Sequence, residues 1–199
     1  MPAVSFGLFD TLVEADLPAD PAAAVGEELR ARGVAVPADW SDAFHETHVD
    51  APAGAEVPLP AHVSRALASR GVAAPGNAAR RAVVAAFDPE VRTREGAAAA
   101  VATARERGPV GLLANCAVPE LVGRTLVRSD LARDDFDAVV SSVACGWRKP
   151  DARAFERVAD ALGVTPPSLV HVGTDPDVDG AVTGVGGEFV DARESFDGV

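Results

Sequence analysis

One lysine stands out among the residues that could do chemistry. Lys149 is the only lysine in the chain of 199 residues and, apart from four histidines, every other basic residue is an arginine. An ammonium group is a compact charge with three hydrogen-bond donors, and the larger, planar guanidinium of arginine cannot replace it in a narrow pocket. Position 149 is therefore a candidate for binding a small anion.

Carboxylates form a short run further along the chain. Asp175, Asp177 and Asp179 alternate with other residues after an apolar segment that ends at Gly173. A lone lysine that faces several carboxylates can form a site for a small anion, or for a metal ion bound to a phosphate group. The same aspartates could instead cap the next helix, and the spacing alone leaves both interpretations open.

Five short apolar segments predict the strands that must position these residues. They are rich in Val, Leu and Phe, and their hydrophobicity is continuous, which is typical of strands covered on both faces. The segments are Val4–Phe9, Val110–Ala114, Ala138–Val143, Leu169–Gly173 and Glu188–Val190. Helical patterns separate them, of which the clearest are Thr93–Arg107, Pro119–Arg128 and Ala152–Leu162. This alternation predicts an α/β fold with a Rossmann-like parallel sheet flanked by helices.

The first connection between strands is too long for a simple crossover, which needs only about a dozen residues. Its pattern predicts helices around Pro21–Arg32, Asp39–Val49, Ala61–Arg70 and Asn77–Phe87, with linkers near Glu14–Asp20 and Phe87–Thr93. The sequence therefore predicts a small all-helical cap subdomain at residues 14–92. This cap is inserted into an α/β core formed by residues 1–13 and 93–199.

The predicted topology also indicates where a ligand would bind. Parallel α/β sheets bind ligands beyond the carboxyl ends of their strands. In this chain those ends lead into residues 7–12, 114–116, 147–150 and 173–180. We expect these four segments to meet at one edge of the sheet, where the helical insertion can close over them. His171 lies inside a predicted strand and is expected to be a core residue with its hydrogen bonds satisfied.

The residues at these strand ends fall into four short motifs. They are residues 6–13 (FGLFDTLV), 112–119 (LLANCAVP), 146–151 (GWRKPD) and 171–176 (HVGTDP), the last followed by Asp179. In this order they resemble the four motifs of the haloacid dehalogenase-like hydrolase superfamily. The resemblance covers nearly the whole chain. It implies an α/β core with a helical cap inserted after the first strand, which the length of the first connection also predicts.

The resemblance implies a nucleophilic mechanism. In this family an aspartate on the first strand attacks phosphorus, or carbon in dehalogenases, and forms an acyl-linked intermediate that water hydrolyses. In phosphatases a second acid two residues later protonates the leaving group. A Ser or Thr and a Lys neutralise charge on the transferred group, and aspartates of the fourth motif hold magnesium or orient water.

Several of these positions carry residues without the expected chemistry. Aligning Thr11-Leu12 with the first motif puts the nucleophile position at Gly7, which has no side chain that could attack. The resemblance places the acid, the hydroxyl and the first fourth-motif aspartate at Phe9, Ala114 and Thr174, respectively. Family-like chemistry remains at Lys149, Asp175 and Asp179.

These substitutions favour a hydrolase-family protein that is catalytically impaired or inactive and keeps a cleft for a small phosphorylated or anionic molecule. We expect Lys149 and Asp175 to be the retained catalytic positions, Asn115, Lys149, Thr174 and Asp10 to bind the ligand, and Asp175 and Asp179 to form a weakened magnesium site. The alternative is an active phosphatase or dehalogenase-like hydrolase of a small metabolite. It would use other residues, such as Asp10 as nucleophile or water activated by a metal ion.

The amino-acid composition limits which kinds of partner this chain can bind. With 30 acidic and 18 basic residues, the chain has a formal net charge of −12. Such a charge repels nucleic acids and anionic membranes. The chain has no apolar run of about 20 residues, the length that spans a bilayer, and its two cysteines do not make a disulfide framework. We expect a cytoplasmic protein whose acidic, lysine-poor composition reflects either a salt-rich cytoplasm or codon bias. The sequence does not indicate an oligomeric state.

Overall fold

The computed structural model describes residues 2–196 and 198. Its centre is a five-stranded sheet in the order β5-β4-β1-β6-β7, in which all neighbouring strands are parallel. These strands are β1 (Ala3–Phe6), β4 (Val110–Ala114), β5 (Ala138–Ser141), β6 (Leu169–Gly173) and β7 (Glu188–Asp191). The α/β fold class predicted from the alternating pattern is confirmed.

The central strands are buried because helices cover both faces of the sheet. Every residue of β4 is buried. The covering helices are α5 (Ala97–Arg107), α6 (Leu121–Arg128) and α8 (Ala152–Ala161). On one face, α8 directs Phe155 and Val158 into a cluster with Leu113 and Leu169. The other face is covered by α5 and α6, together with part of the helical insertion.

Two predicted strands end earlier than expected. Strand β5 stops at Ser141, and the chain turns into the short helix α7 (Ser142–Cys145). The turn occurs because Ser142 is completely buried, where its hydroxyl donates to Glu56 Oε2 (2.6 Å) and accepts from the N–H of Cys116 (2.7 Å). Strand β1 ends at Phe6, because the carbonyl of Leu8 then accepts the N–H groups of two later residues in a tight turn.

Four helices lie between two short strands that pair with each other. Strands β2 (Val13–Ala15) and β3 (Val91–Thr93) form an antiparallel pair. Between them lie α1 (Pro21–Ala31), α2 (Trp40–His45), α3 (Leu59–Ser69) and α4 (Ala78–Ala86). We call residues 16–90 the helical insertion. The β2–β3 pair was not predicted, since three-residue strands are too short to give a hydrophobic period.

The helical insertion shares its hydrophobic core with the sheet. Phe6, the last residue of β1, and Leu12, in the turn that follows, belong to the same buried cluster as Val25 of α1 and Leu67 of α3. Short 3-10 helices at Arg133–Asp135, Pro166–Ser168 and Gly180–Val185 complete the connections. Among the described residues, no helix is both long and apolar enough to cross a membrane.

Candidate functional site

A cavity of about 200 Å³ lies where the loops after β1, β4 and β6 meet the segment before α8. This cavity is lined by every residue that the sequence predicted for the site: Gly7, Phe9, Asp10, Ala114, Asn115, Lys149, Thr174, Asp175 and Asp179. Leu8, Thr11 and Val178 complete the wall. The parallel sheet thus brings the four motifs together at one edge, as the positions of the strand ends predicted.

Lys149 is the only cation in the wall of this cavity, and its side chain is only 5% exposed. Its ammonium donates to Asp179 Oδ1 (2.5 Å) and lies 3.2 Å from Nε2 of His171. Burial lowers the pKa of Lys149, and the neighbouring carboxylate of Asp179 opposes part of that effect. Asp179 accepts from one of the three ammonium donors, which leaves the others for a ligand.

Asp179 holds both Lys149 and the loop that follows β6. Its Oδ2 accepts the N–H groups of Thr174 (3.0 Å) and Asp175 (3.1 Å), while Oδ1 faces Lys149 and His171. Burial alone would raise the pKa of Asp179, but the hydrogen bond from His171 and the charge of Lys149 together lower it. Asp179 is therefore an anion with both oxygens in use.

His171 forms the buried floor of this network. It is fully buried in β6, and its Nδ1 lies 2.7 Å from the hydroxyl of Ser5 on the adjacent strand. Burial, and then the positive charge of Lys149, lower the pKa of His171 to about 4. The imidazole is therefore neutral at pH 7. Sequence reasoning placed His171 in the core but missed its contact with Lys149. The available signal was a polar residue inside an apolar strand, two positions before Gly173.

Asn115 fixes the backbone of Lys149. Its amide Nδ2 donates to the carbonyl of Lys149 and its Oδ1 accepts the Lys149 N–H, both at 2.8 Å. The side chain was expected to bind the ligand, but both ends of its amide are committed to the protein. Asn115 is therefore a positioning residue in this structure.

Gly7 leaves a narrow space that Thr11 partly fills. A Cβ added at Gly7 would lie 2.6 Å from Thr11 Oγ1, 3.2 Å from Thr11 Cβ and 3.7 Å from Nζ of Lys149. The ammonium of Lys149 therefore points toward the place where the family's nucleophile would begin. Thr11 is buried and lines the cavity, and its hydroxyl makes no hydrogen bond to any described residue that could serve as a base. Sequence reasoning used Thr11 only to align the motif.

The two remaining aspartates face solvent. Asp10 is exposed, has a positive φ of 60° and offers its carbonyl to Nη1 of Arg94 (3.0 Å), so this residue shapes the turn after β1. Asp175 is also exposed, and its Oδ1 accepts the N–H groups of Asp177 (2.9 Å) and Val178 (3.2 Å). Asp175 therefore organises the loop after β6. The alternative that these aspartates cap the next helix is not what the structure shows, because the 3-10 helix Gly180–Val185 follows Asp179, whose side chain makes no capping hydrogen bond.

These residues do not fit a magnesium site. Within residues 2–196 and 198, no group of three or more His, Cys, Asp or Glu side chains is arranged to hold a metal ion. The carboxylates that the resemblance implies are replaced by Gly7 and Thr174. Both oxygens of Asp179 already accept hydrogen bonds, so only the exposed Asp10 and Asp175 could offer a free carboxylate oxygen from the wall of the cavity. Both lie on exposed loops, and Mg²⁺ demands near-ideal octahedral geometry from its ligands, so these residues alone do not make a magnesium site.

An apolar cavity of about 400 Å³ adjoins the Lys149 cavity. Phe9 and Asn115 line both cavities. The helical insertion, the loop after β4 and the first residue of α6 contribute the other walls: Leu17, Pro21, Phe44, Leu59, Phe87, Cys116, Ala117, Val118 and Leu121. Burial raises the pKa of the Cys116 thiol, which donates to the carbonyl of Val118 (3.3 Å), so Cys116 is an unreactive part of this wall.

The fold is similar to several solved structures. CbbY from Rhodobacter sphaeroides in complex with phosphate matches with a TM-score of 0.61 and 20% identity over 100% of this chain and 92% of that chain. A HAD family enzyme from Bacteroides thetaiotaomicron in complex with magnesium and inorganic phosphate matches with a TM-score of 0.59 and 12% identity, over 96% and 93% of the two chains. L-2-haloacid dehalogenase from Xanthobacter autotrophicus matches with a TM-score of 0.57 and 18% identity, over 96% and 77%.

Sequence comparison alone does not detect this relationship. No protein-family model matches the chain, and no curated protein is significantly similar to it in sequence. The structural similarity extends over nearly the whole chain, and residues of the four motifs line one cavity at the edge of the sheet. The chain therefore has the fold of the haloacid dehalogenase-like hydrolase superfamily.

Proposed function

We propose that this protein is a non-catalytic binding protein on a hydrolase fold, and that it holds a small anionic molecule in the Lys149 cavity. The observation that carries the proposal is the direction of the Lys149 ammonium. It lies 3.7 Å from the position of a Cβ on Gly7, and only one of its three donors is held by a carboxylate, that of Asp179. An oxyanion in that space would receive a charge-assisted hydrogen bond where the family has a reacting carboxylate.

The groups around that space support the absence of catalysis. Gly7 offers no nucleophile, and Phe9 at the acid position cannot donate a proton. Asp10 and Asp175 are exposed loop residues, and Thr11 has no base beside it to remove its proton. Loss of a nucleophile alone costs many orders of magnitude in rate, since the remaining groups only stabilise charge.

The two cavities together define the class of ligand. The Lys149 cavity, about 200 Å³, has room for an anionic group such as a phosphate or a carboxylate. The adjoining cavity of about 400 Å³ is lined mainly by apolar side chains. A molecule that fills both would join one anionic head to a small apolar body. The phosphate held by two structural neighbours supports an anionic head of this kind.

Titration calorimetry with phenylphosphonate, a non-hydrolysable anion with an apolar ring, tests this proposal. We expect one molecule bound per chain and an affinity about 10- to 100-fold lower in Lys149→Met, because one charge-assisted hydrogen bond is lost. The matched control is Arg148→Met, which removes a neighbouring exposed cation that does not line the cavity. Absence of binding, or equal loss in both variants while circular dichroism shows that both are folded, would refute the proposal.

An activity assay separates this proposal from an active hydrolase. Turnover of p-nitrophenyl phosphate and of 2-chloropropionate is measured with and without magnesium, at low and at high salt. We expect no turnover above that of buffer under any of these conditions. Turnover that persists in Asp10→Ala and disappears in Lys149→Met would instead establish an active hydrolase that uses other residues.

A further inference from the structure

A second cavity with concentrated charge lies away from the Lys149 cavity. This groove of about 470 Å³ runs between α4 of the helical insertion and α6 of the core and shares no residue with the Lys149 cavity. Four arginines and two acidic residues line it: Arg32, Arg80, Arg81, Arg124, Asp88 and Glu120. In a chain with a net charge of −12, such a concentration of guanidinium groups is unusual. We refer to it as the arginine groove.

Existing ion pairs neutralise only part of this charge. Arg32 pairs with Glu28, Arg80 donates to Glu120 (2.6 Å), and Arg124 donates to Asp88 (2.8 Å). The carboxylate of Asp88 is also shared with Arg128, at 2.7 Å. The side chain of Arg81 has no hydrogen bond or ion pair with any described residue. Positive charge therefore remains in excess in the groove.

Crowding like charges costs free energy, and a bound anion would remove that cost. We infer that the arginine groove binds a small, multiply charged oxyanion of the phosphate or diphosphate class. A guanidinium group presents two parallel N–H donors, which match the oxygens of such an anion better than a halide ion. The large negative charge of the whole chain disfavours a nucleic acid, so the ligand is a small molecule.

The position of the groove gives this binding a structural consequence. Arg80 and Arg81 belong to α4 in the helical insertion, whereas Arg124 belongs to α6 in the core. An anion that contacts both sides would link the insertion to the core and stabilise the native state by mass action. Binding in the groove does not depend on the function proposed for the Lys149 cavity.

Calorimetry with diphosphate at constant ionic strength tests the inference. The measurements use the Lys149→Met protein, in which the first cavity has lost its cation. We expect one diphosphate bound per chain, about 10-fold weaker binding in Arg81→Gln and none in Arg81→Glu. The matched control is Arg65→Gln on α3, because Arg65 is exposed, has no partner among the described residues and lies outside the groove.

Each result has one meaning. Binding that is lost in Arg81→Gln and kept in Arg65→Gln supports the groove, whatever happens at Lys149. No diphosphate binding in a Lys149→Met protein that circular dichroism shows to be folded refutes the inference, and so does an equal effect of the two arginine variants. Phenylphosphonate binding by the unmodified chain is measured separately, so a failure of the groove and a failure of the Lys149 cavity are distinguishable.

Discussion

Acid should destabilise this protein through one buried imidazole. The pKa of His171 is lowered from 6.5 to about 4 by burial first and by the charge of Lys149 second. Between those values the unfolded chain binds a proton at this residue and the folded chain does not. Stability therefore falls as the pH decreases through this window and is fully present above it. The two pKa values give a loss of about 2 kcal/mol at pH 5 and about 3 kcal/mol at pH 4.

Urea unfolding at pH 7.5, 6 and 5 and at constant salt measures this loss. In His171→Gln the group that titrates is gone. Between pH 7.5 and 5 we therefore expect its free energy of unfolding to fall by about 2 kcal/mol less than that of the unmodified chain. His45→Gln is the matched control, since His45 is exposed on α2. If the stability of His171→Gln depends on pH as that of the unmodified chain does, then His171 is not a neutral buried group, and its described contacts with Lys149 and Asp179 are wrong.

Two further predictions concern the packing of the cavity. Gly7→Asp brings a Cβ to 2.6 Å from Thr11 Oγ1 and 3.2 Å from Thr11 Cβ, so urea unfolding should show a loss of about 1–3 kcal/mol and no gain of phosphatase activity. Adding Thr11→Ala should recover part of that stability, and a fully stable, active Gly7→Asp protein would contradict the packing argument. Asn115→Ala removes both side-chain hydrogen bonds to the Lys149 backbone, so it should lower stability by about 1–3 kcal/mol and weaken phenylphosphonate binding. Unchanged affinity in calorimetry would show that Asn115 does not position Lys149.

Much of the sheet could be predicted because its strands are covered on both faces. Burial on both sides makes a strand continuously apolar, and β4 and β6 have the bounds that this pattern predicts. The pattern fails where tertiary contacts determine the backbone. Ser142 begins a helix because its hydroxyl is held between Glu56 and Cys116, which are remote in the sequence.

The candidate site was predictable as a location, but its contacts were not. Strand order alone brings Lys149, Asn115 and Asp179 to one edge of the sheet. Which atom each side chain bonds depends on the loops, and no sequence pattern encodes that choice. The amide of Asn115 forms hydrogen bonds with the backbone of Lys149. The carboxylate of Asp179 contacts Lys149 and accepts hydrogen bonds from two backbone N–H groups. Both residues had been expected to contact a ligand or a metal ion.

The buried Lys149–Asp179 pair does not by itself explain why the cavity exists. Removing two charges from water costs about as much as their attraction returns, so buried ion pairs contribute little net stability. Breaking one is different, because Lys149→Met leaves the charge of Asp179 buried without its cation and should cost about 3 kcal/mol. In Lys149→Met/Asp179→Asn no charge is left unpaired and an oxygen still accepts the loop N–H groups.

We therefore expect the double variant to regain most of that stability in urea unfolding and still to lose phenylphosphonate binding. A double variant as unstable as Lys149→Met would mean that the Lys149–Asp179 ion pair is needed to stabilise the fold. A stable double variant that still binds would mean that the anion is held without Lys149. A stable double variant that no longer binds leaves ligand binding as the role of the only lysine in the chain.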